Sequence, residues 1–418
     1  MEGNNSMVRR QVLPNGVRIV TEKIDYVQSA SIGVWVGVGA RDETDDIRGI
    51  SHVIEHMLFK GTPTRTAPQI SDEIDRVGGY LNAFTDKENT CYYAKVLQEH
   101  VPVAIDVLSD IFLNSLFDTE ELTKEKNVIL EEIKRHEDAP DDLIHDLFFE
   151  TIWPDHNLGK SVIGTNESVS SLVRQNLVDY IAKRYTPDTI VISAAGNLEH
   201  DQIVDLISER FSSLSGSRAD WRVEDTVPRT VSASKKFSKP IEQVHVVVGV
   251  PGYSQMNPDK YKLALLDNIL GGGMSSRLFQ EIRENRGLAY SVGSYTANYR
   301  EGGLFAVYAG TSTEAADEVV EIIQDEFKKI TADNATAAEL DRVKNQIKGG
   351  LVMGQESMSG RMMKMGKNEL TYDRVIPIEE VSAKIQEVTL EDIHETAKAL
   401  LIPAKESVVK VGPFDEVA

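Results

Sequence analysis

The sequence predicts an α+β fold made of two structurally similar domains related by duplication. Three observations carry this reading. Strand-like and helix-like segments are mixed, with hairpins in place of regular βα alternation. The order of those segments begins again in the second half. One helical stretch also matches its counterpart closely: ELTKEKNVI (Glu121 to Ile129) aligns with ELDRVKNQI (Glu339 to Ile347) at an offset of 218 residues. A chain of 418 residues suits two such domains.

Between residues 10 and 40, RQVLPNGVRIVTE and SASIGVWVGVGA are rich in β-branched residues and read as two strands, the first carrying an Asn-Gly turn signal. A helix covers Ile50 to Leu58. A second starts at Ser71 and is stopped after Val77 by Gly78-Gly79. Tyr80 to Leu97 is extended. Long helices cover Val101 to Asn114 and Thr119 to Arg135, and further helices with the strand TIVISAAGN run to about Ser212. The polar stretch 213–235 reads as a linker. The pattern then repeats: VHVVVGVPGY as a strand, Lys260 to Leu270 as a helix, and LAYSVGSYTANY with GGLFAVYAGT as a strand pair. Helices follow over Glu314 to Ile330 and from Ala335 onward. The expected domains are 1–212 and 236–418. Gly271-Gly272-Gly273 reads as a turn, and it lacks the Gly-Lys-Ser/Thr of a phosphate loop.

Composition narrows the function. About 41% of residues are hydrophobic and 27% charged, an ordinary balance for a soluble globular chain. The formal net charge of −21 argues against a nucleic-acid partner and favours basic ones. Cys91 is the only cysteine, so no intrachain disulfide forms and any metal must use histidine and carboxylate ligands. No apolar run approaches the roughly 18 residues that cross a bilayer. The start, MEGNNSMVRRQVLPNG, resembles neither a secretory signal nor a transit peptide. The expectation is a cytoplasmic chain with no membrane partner.

The chemistry is signalled at His52-Val53-Ile54-Glu55-His56, an H-x-x-E-H pentad, the inverted form of the zincin motif. On a helix, His52 and His56 stand one turn apart on the same face and can share one metal ion. Glu55 is placed to act as general base, taking the proton as a water attacks a carbonyl. Catalytic zinc usually takes three protein ligands. The helix Thr119 to Arg135 offers Glu120, Glu121, Glu125, Glu131 and Glu132, and composition alone does not choose among them. Glu125 and Glu132 share a face, so one can be a ligand and the other its supporting partner. The second copy has Val343 and Gly350 at the matching positions, and its first helix has no histidine. The first copy alone can hold the metal, which makes one ion per chain.

With HVIEHMLFKGT, GGYLNAFTDKENTCYY and EKNVILEEI, the chain resembles the pitrilysin-type (M16) zinc metallopeptidases, the inverzincins. Among these are the β-subunit of the mitochondrial processing peptidase and its bacterial homologues. The resemblance runs over nearly the whole length. It implies two α/β-roll domains, zinc as the cofactor, and a third ligand about 75 residues beyond the second histidine. Residues 57 to 131 span that distance, so the ligand maps onto Glu132 and the supporting glutamate onto Glu125. Arg283 and Tyr290 in RENRGLAY match the family's Arg/Tyr pair, which contacts the substrate carbonyl opposite the zinc. Both side chains can donate to a developing oxyanion.

The same resemblance extends to substrate and partners. Asn82, Ala83 and Phe84 match the edge strand that binds extended peptide by strand addition. Phe59 matches an apolar contact for the residue just after the cut bond. Asp142 and Asp146 fall where two acidic positions hold an arginine two residues before the cleaved bond, and paired carboxylates suit a guanidinium. The implied activity is zinc-dependent endopeptidase cleavage of short or unfolded, often basic, presequence-like peptides in an enclosed chamber. In the family, the Arg/Tyr pair comes from the half facing the zinc. A chain with both features implies a homodimer; the alternative is a heterodimer with a related chain lacking zinc. The alternative function is a non-catalytic or partner-dependent subunit of a processing-peptidase-like complex.

Overall fold

Strand pairing divides the chain between two sheets. The computed structural model describes residues 8–220 and 226–414. The first sheet holds β1 (Val8–Val12), β2 (Arg18–Lys23), β3 (Ser29–Val36), β4 (Tyr80–Thr85), β5 (Thr90–Leu97) and β6 (Ile190–Gly196), in the order β1-β2-β6-β3-β5-β4. The second holds β7 (Ser234–Ser238), β8 (Val244–Gly252), β9 (Ala289–Asn298), β10 (Gly303–Thr311) and β11 (Ser407–Gly412), in the order β7-β11-β8-β10-β9. In each sheet one neighbouring pair is parallel, β2 with β6 and β7 with β11; every other pair is antiparallel. With β1 set aside, order and direction are the same in both. This is the duplicated, mixed α/β architecture that the repeat predicts. It makes β4 and β9 equivalent edge strands.

Both faces of each sheet are apolar, following the two-residue period of a strand. In the first, Ile32, Val34 and Val36 of β3, Tyr92 and Ala94 of β5, and Ile190 and Ile192 of β6 face a large core. That core is shared with the helices Ile50–Leu58, Val101–Asn114, Thr119–Glu137 and His200–Phe211. Val20, Trp35, Cys91, Val191 and Ala195 point the other way and meet Met362 and Met365 of the helix Met358–Tyr372. In the second sheet, Val246, Val248, Phe305 and Val307 face a core with the helices Lys260–Leu270, Ala316–Asp333 and Leu390–Leu400. Val247, Leu304, Ala306, Val409 and Val411 face Ile144, Phe148 and Ile152 of the helix Pro140–Ile152. Fully burying a side chain of this kind stabilises by about 1.5–3 kcal/mol.

The helix on the second face of each sheet comes from the opposite half of the sequence. One compact unit comprises the described residues up to Ile133, Ser161 to 220, and Val352–Ile376; the other comprises Lys134–Lys160, 226 to Leu351, and Pro377 to 414. The expected boundaries at 212 and 236 follow chain order, and each half contributes one helix to the other unit. The physical cause is the two-sided apolar pattern, which leaves neither sheet covered by its own half alone. In the first unit, Glu369 is completely buried and accepts from Arg10 Nε at 2.9 Å, which fastens the helix Met358–Tyr372 to β1. Gly366 of that helix lies flat against the Trp35 indole, and a Cβ there would overlap the ring.

Several boundaries differ from the sequence reading. The stretch 10–40 holds three strands, because Gly16 at φ +106° closes a hairpin between β1 and β2. The second helix begins at Ala67, ahead of Ser71: Pro68 sits in the first turn, where no N–H is needed, and Gln69 Oε1 accepts from the Thr66 N–H at 2.8 Å. Tyr80 to Leu97 splits into the hairpin of β4 and β5, closed by Asp86 Oδ1 accepting from the Glu88 and Asn89 N–H groups. Of the expected linker, Ser234 and Lys235 belong to β7, and 221–225 lie outside the described residues. Among the described residues, no single helix is long and apolar enough to cross a membrane.

Candidate active site

The helix Ile50–Leu58 is fixed at both ends before its histidines are considered. Gly49 precedes it at φ +83°, and its Cα packs so closely on Ile163 and Gly164 that a Cβ would collide with their backbone. Gly49 has no side chain to cap the helix. The Glu43 carboxylate does so instead, accepting from the Gly49 N–H at 2.7 Å and the Ser51 N–H at 2.8 Å. Burial pushes the Glu43 carboxyl up to about 7 despite those two bonds. At the other end, Ser115 Oγ donates to the Met57 carbonyl at 3.2 Å and the Leu116 N–H to the Gly61 carbonyl at 3.1 Å. These bonds tie the helix to the segment that leads into Thr119–Glu137.

On this frame three side chains converge. His52 Nε2 and His56 Nε2 each lie 3.7 Å from Glu132 Oε2. One ligand atom from each of the three residues lies within 4.8 Å of the others, and this is the only such cluster of three or more potential ligands among the described residues. Ligands at the usual zinc distances on a tetrahedron stand about 3.3 Å apart. The donor set, two imidazole nitrogens and one carboxylate oxygen, is that of a catalytic zinc site. Burial, with the neighbouring His56 adding to it, pushes His52 down to about 4, so its ring is neutral at pH 7, as a metal ligand requires. His52 Nδ1 is buried without a hydrogen-bond partner among the described residues. Its ring is therefore committed to nothing on that side, and Nε2 is the nitrogen aimed at Glu132. The residues fit a divalent ion.

Glu55, on the same helix, accepts the Thr85 hydroxyl at 2.6 Å. Burial raises its carboxyl above the usual carboxylate range, while the Thr85 hydroxyl opposes that shift. Glu125 Oε2 lies 3.1 Å from His56 Nδ1, so the Nδ1–H donates to it and Nε2 is left as the lone-pair nitrogen. Glu125 Oε1 lies 2.6 Å from Lys60 Nζ. In the repeat, Val343 sits fully buried in the core where Glu125 has its counterpart.

The remaining sequence-derived residues fall into three groups. On β4, Leu81 and Ala83 pack against the main core and Thr85 reaches Glu55, so the odd-numbered residues face the histidine helix. Phe84 points to the opposite face and packs edge-on against Trp35, with ring centroids 5.6 Å apart. Asn82 shares that direction, its Nδ2 donating to Tyr80 Oη at 2.6 Å. Among the described residues β4 pairs with β5 alone, which leaves its outer backbone edge unpaired within the sheet. Phe59 is half-buried at the end of the histidine helix, with its ring 6.4 Å from Tyr92.

Arg283 and Tyr290 lie together in the second unit. Arg283 Nη1 donates to the Tyr290 carbonyl at 2.9 Å, and its guanidinium sits 4.6 Å from the Tyr290 ring centre and 4.9 Å from that of Phe279. Tyr290 is 79% exposed. Arg283 rides on the π-helical segment Phe279–Asn285, a form common at functional sites. Asp142 and Asp146 stand on the helix Pro140–Ile152 in the same unit, with Asp142 exposed in its first turn. Asp146 is paired with His136, Nε2 to Oδ2 at 3.2 Å.

Three residues that shape the site were missed from sequence: Glu43, Lys60 and Thr85. Lys60 sits inside the HVIEHMLFKGT segment, yet its partner Glu125 is far along the chain, and nothing local marks the pairing.

Comparison with known proteins supplies the class. The family model described as "Insulinase (Peptidase family M16)" matches residues 18–166, which hold both histidines and Glu132. A second, "Peptidase M16 inactive domain", matches residues 171–347, which hold Arg283 and Tyr290. The chain is 43% identical over 394 residues to the uncharacterized zinc protease YmxG of Bacillus subtilis, covering 94% of this chain and 96% of that one. It is 41% identical over 416 residues to an uncharacterized zinc protease of Streptomyces coelicolor, covering 98% of this chain and 90% of that one. A protease from Helicobacter pylori has the same fold, with a TM-score of 0.91 at 20% identity over 98% of this chain and 100% of that one. A structure described as a peptidase M16 inactive domain from Pseudomonas fluorescens has it too, with a TM-score of 0.90 at 20% identity over 98% of each chain. The chain belongs to peptidase family M16.

Proposed function

We propose that this chain is a zinc-dependent endopeptidase that cleaves short or unfolded, often basic, peptides inside an enclosed chamber. The observation that carries the reading is the convergence of His52, His56 and Glu132 beside Glu55. The relatives named zinc proteases support zinc as the metal, and the single ligand cluster among the described residues supports one ion per chain.

His52 Nε2, His56 Nε2 and Glu132 would hold the ion. Zinc bound there supplies Lewis acidity, which polarises a peptide carbonyl and makes a water acidic. Glu55 takes the proton from the attacking water and passes it to the departing amine. Thr85 keeps the Glu55 carboxylate turned toward the site. Glu125 fixes the ring and tautomer of His56. The unpaired edge of β4, through Asn82, Ala83 and Phe84, receives the extended substrate by backbone hydrogen bonds. The Asn82 and Phe84 side chains face away from Glu55, so their part is played by the backbone. Phe59 offers an apolar contact beside the cut bond.

Arg283 and Tyr290 would donate hydrogen bonds to the carbonyl oxygen as it gains charge. We assign that pair to the facing chain of a homodimer, or of a heterodimer with a related chain. Asp142 and Asp146 would hold an arginine two residues before the cut, with the guanidinium displacing His136 from Asp146. The compartment in this reading is the cytoplasm, which a single, buried Cys91 supports. The test is cleavage-site mapping on a peptide library with the purified chain. Zinc-dependent cuts with arginine enriched two residues before the bond are expected. An inert preparation of self-dimers carrying full zinc would overturn the catalytic reading, and cuts without arginine preference would overturn the role of Asp142 and Asp146.

A further inference from the structure

Glu125 is buried, at 6% exposure, and its two oxygens are used separately. Oε2 faces His56 Nδ1 at 3.1 Å and Oε1 faces Lys60 Nζ at 2.6 Å. The backbone of Lys60 is held by the last turn of the histidine helix, where the Lys60 N–H donates to the Met57 carbonyl at 3.1 Å. Gly61 follows at φ +122°, and its carbonyl accepts from the Leu116 N–H at 3.1 Å, which pins the loop to the approach of the glutamate helix. The ammonium group therefore reaches Glu125 from a fixed base. A buried carboxylate is costly unless paired and hydrogen-bonded. A glutamate with three side-chain torsions has other places to turn once its cation is gone.

We infer that Lys60 is a positioning residue for the metal centre: through Glu125 it fixes the ring plane and the Nδ1–H tautomer of His56, so that Nε2 is presented as a ligand before any ion arrives. The inference rests on the reading of His56 as a ligand. It also accounts for an asymmetry between the two histidines. His52 Nδ1 has no partner among the described residues, so His56 is the imidazole whose orientation depends on a chain of contacts. Removing the end of that chain acts on one ligand of three, which weakens binding without abolishing it.

The test uses the full chain with Lys60→Met, which keeps the apolar stem, and Lys60→Arg, which keeps a cationic donor. Zinc affinity is measured by competition with a chromophoric chelator. The His56 tautomer is read from its ring nitrogen shifts by NMR in the metal-free chain. Lys60→Met is expected to bind zinc about 10-fold more weakly and to show a mixed His56 tautomer, with Lys60→Arg close to the unmodified chain in both. Unchanged affinity together with an unchanged tautomer in Lys60→Met would overturn the inference, as would an arginine variant no better than the methionine one. If the unmodified chain binds no zinc, the ligand reading fails by itself, and the tautomer measurement still decides the role of Lys60. Should Lys60→Met fail to fold, Lys60→Gln replaces it in both measurements.

Discussion

The Thr85 hydroxyl lies 2.6 Å from Glu55 Oε2, so the edge strand β4 and the helix of the two histidines are joined at one carboxylate. Thr85 is the last residue of β4, on the same face as Ala83. The strand proposed to receive substrate thus also orients the proposed base.

Thr85→Val keeps the β-branched shape and removes the donor. A hydrogen bond to a charged group contributes about 1.5–3 kcal/mol, so kcat/KM is expected to fall about 10-fold or more, with zinc content unchanged. Steady-state kinetics beside metal analysis checks this. Full activity in the valine variant would show that Glu55 is held by something other than Thr85.

The assignment of Arg283 and Tyr290 to a facing chain is tested by mixing. Glu55→Gln alone is expected to lose about 100-fold or more in turnover while keeping zinc. Arg283→Ala alone is expected to lose about 100-fold, also with zinc intact. Mixed dimers of the two carry one site with both groups intact, so activity should partly return. No recovery from chains shown to exchange would remove the shared site.

Gly366 offers a stability test of the exchanged helices. Glycine to alanine inside a helix ordinarily gains about 1 kcal/mol. At Gly366 the new methyl would enter the Trp35 ring, and overpacking costs about 1–3 kcal/mol. Gly366→Ala is therefore expected to destabilise the first unit, read by denaturant unfolding of Trp35 fluorescence. Gly350→Ala, at a helix position with no atom near the added carbon, should be neutral or stabilising. Equal effects at the two sites would mean that the helix Met358–Tyr372 does not pack on Trp35.

Glu43 sets a pH dependence. Its folded carboxyl titrates at about 7, against an ordinary value of 4.5, so between those limits the folded chain holds a proton that the unfolded chain has released. Stability is therefore greatest below about 4.5 for this group and is lost as pH rises to 7, by on the order of 3 kcal/mol. Burial raises Asp42 and Asp86 in the same direction. Denaturant titrations of the metal-free chain at pH 5, 6 and 7 should show this decline, and Glu43→Gln should make it shallower. A slope unchanged in Glu43→Gln would place the effect elsewhere.

What could be read from sequence depended on how far apart the partners lie. His52, Glu55 and His56 fall within five consecutive residues, and a helix alone puts the two rings on one face. Their ring centroids stand 4.7 Å apart. Glu132 was not separable from Glu125 or Glu131 by pattern; the family resemblance chose it, and only it converges with both histidines. The repeat was legible because Glu121 and Glu339 start matching segments of equivalent helices. The exchange of helices was not. Periodicity shows that Phe148 and Met362 are buried but carries no record of which sheet buries them. The direction of Phe84 was not legible for a similar reason: strand alternation gives two faces, and only the packing of Trp35 fixes which one it takes.

The most direct test is zinc stoichiometry in the purified chain and three variants, measured by plasma mass spectrometry after dialysis. The expected result is one ion per unmodified chain, one per Glu55→Gln chain, and loss of the ion in His56→Ala and Glu132→Ala. Zinc retained at full stoichiometry without Glu132, or absent from the folded unmodified chain after zinc is supplied, would contradict a metal centre at His52, His56 and Glu132.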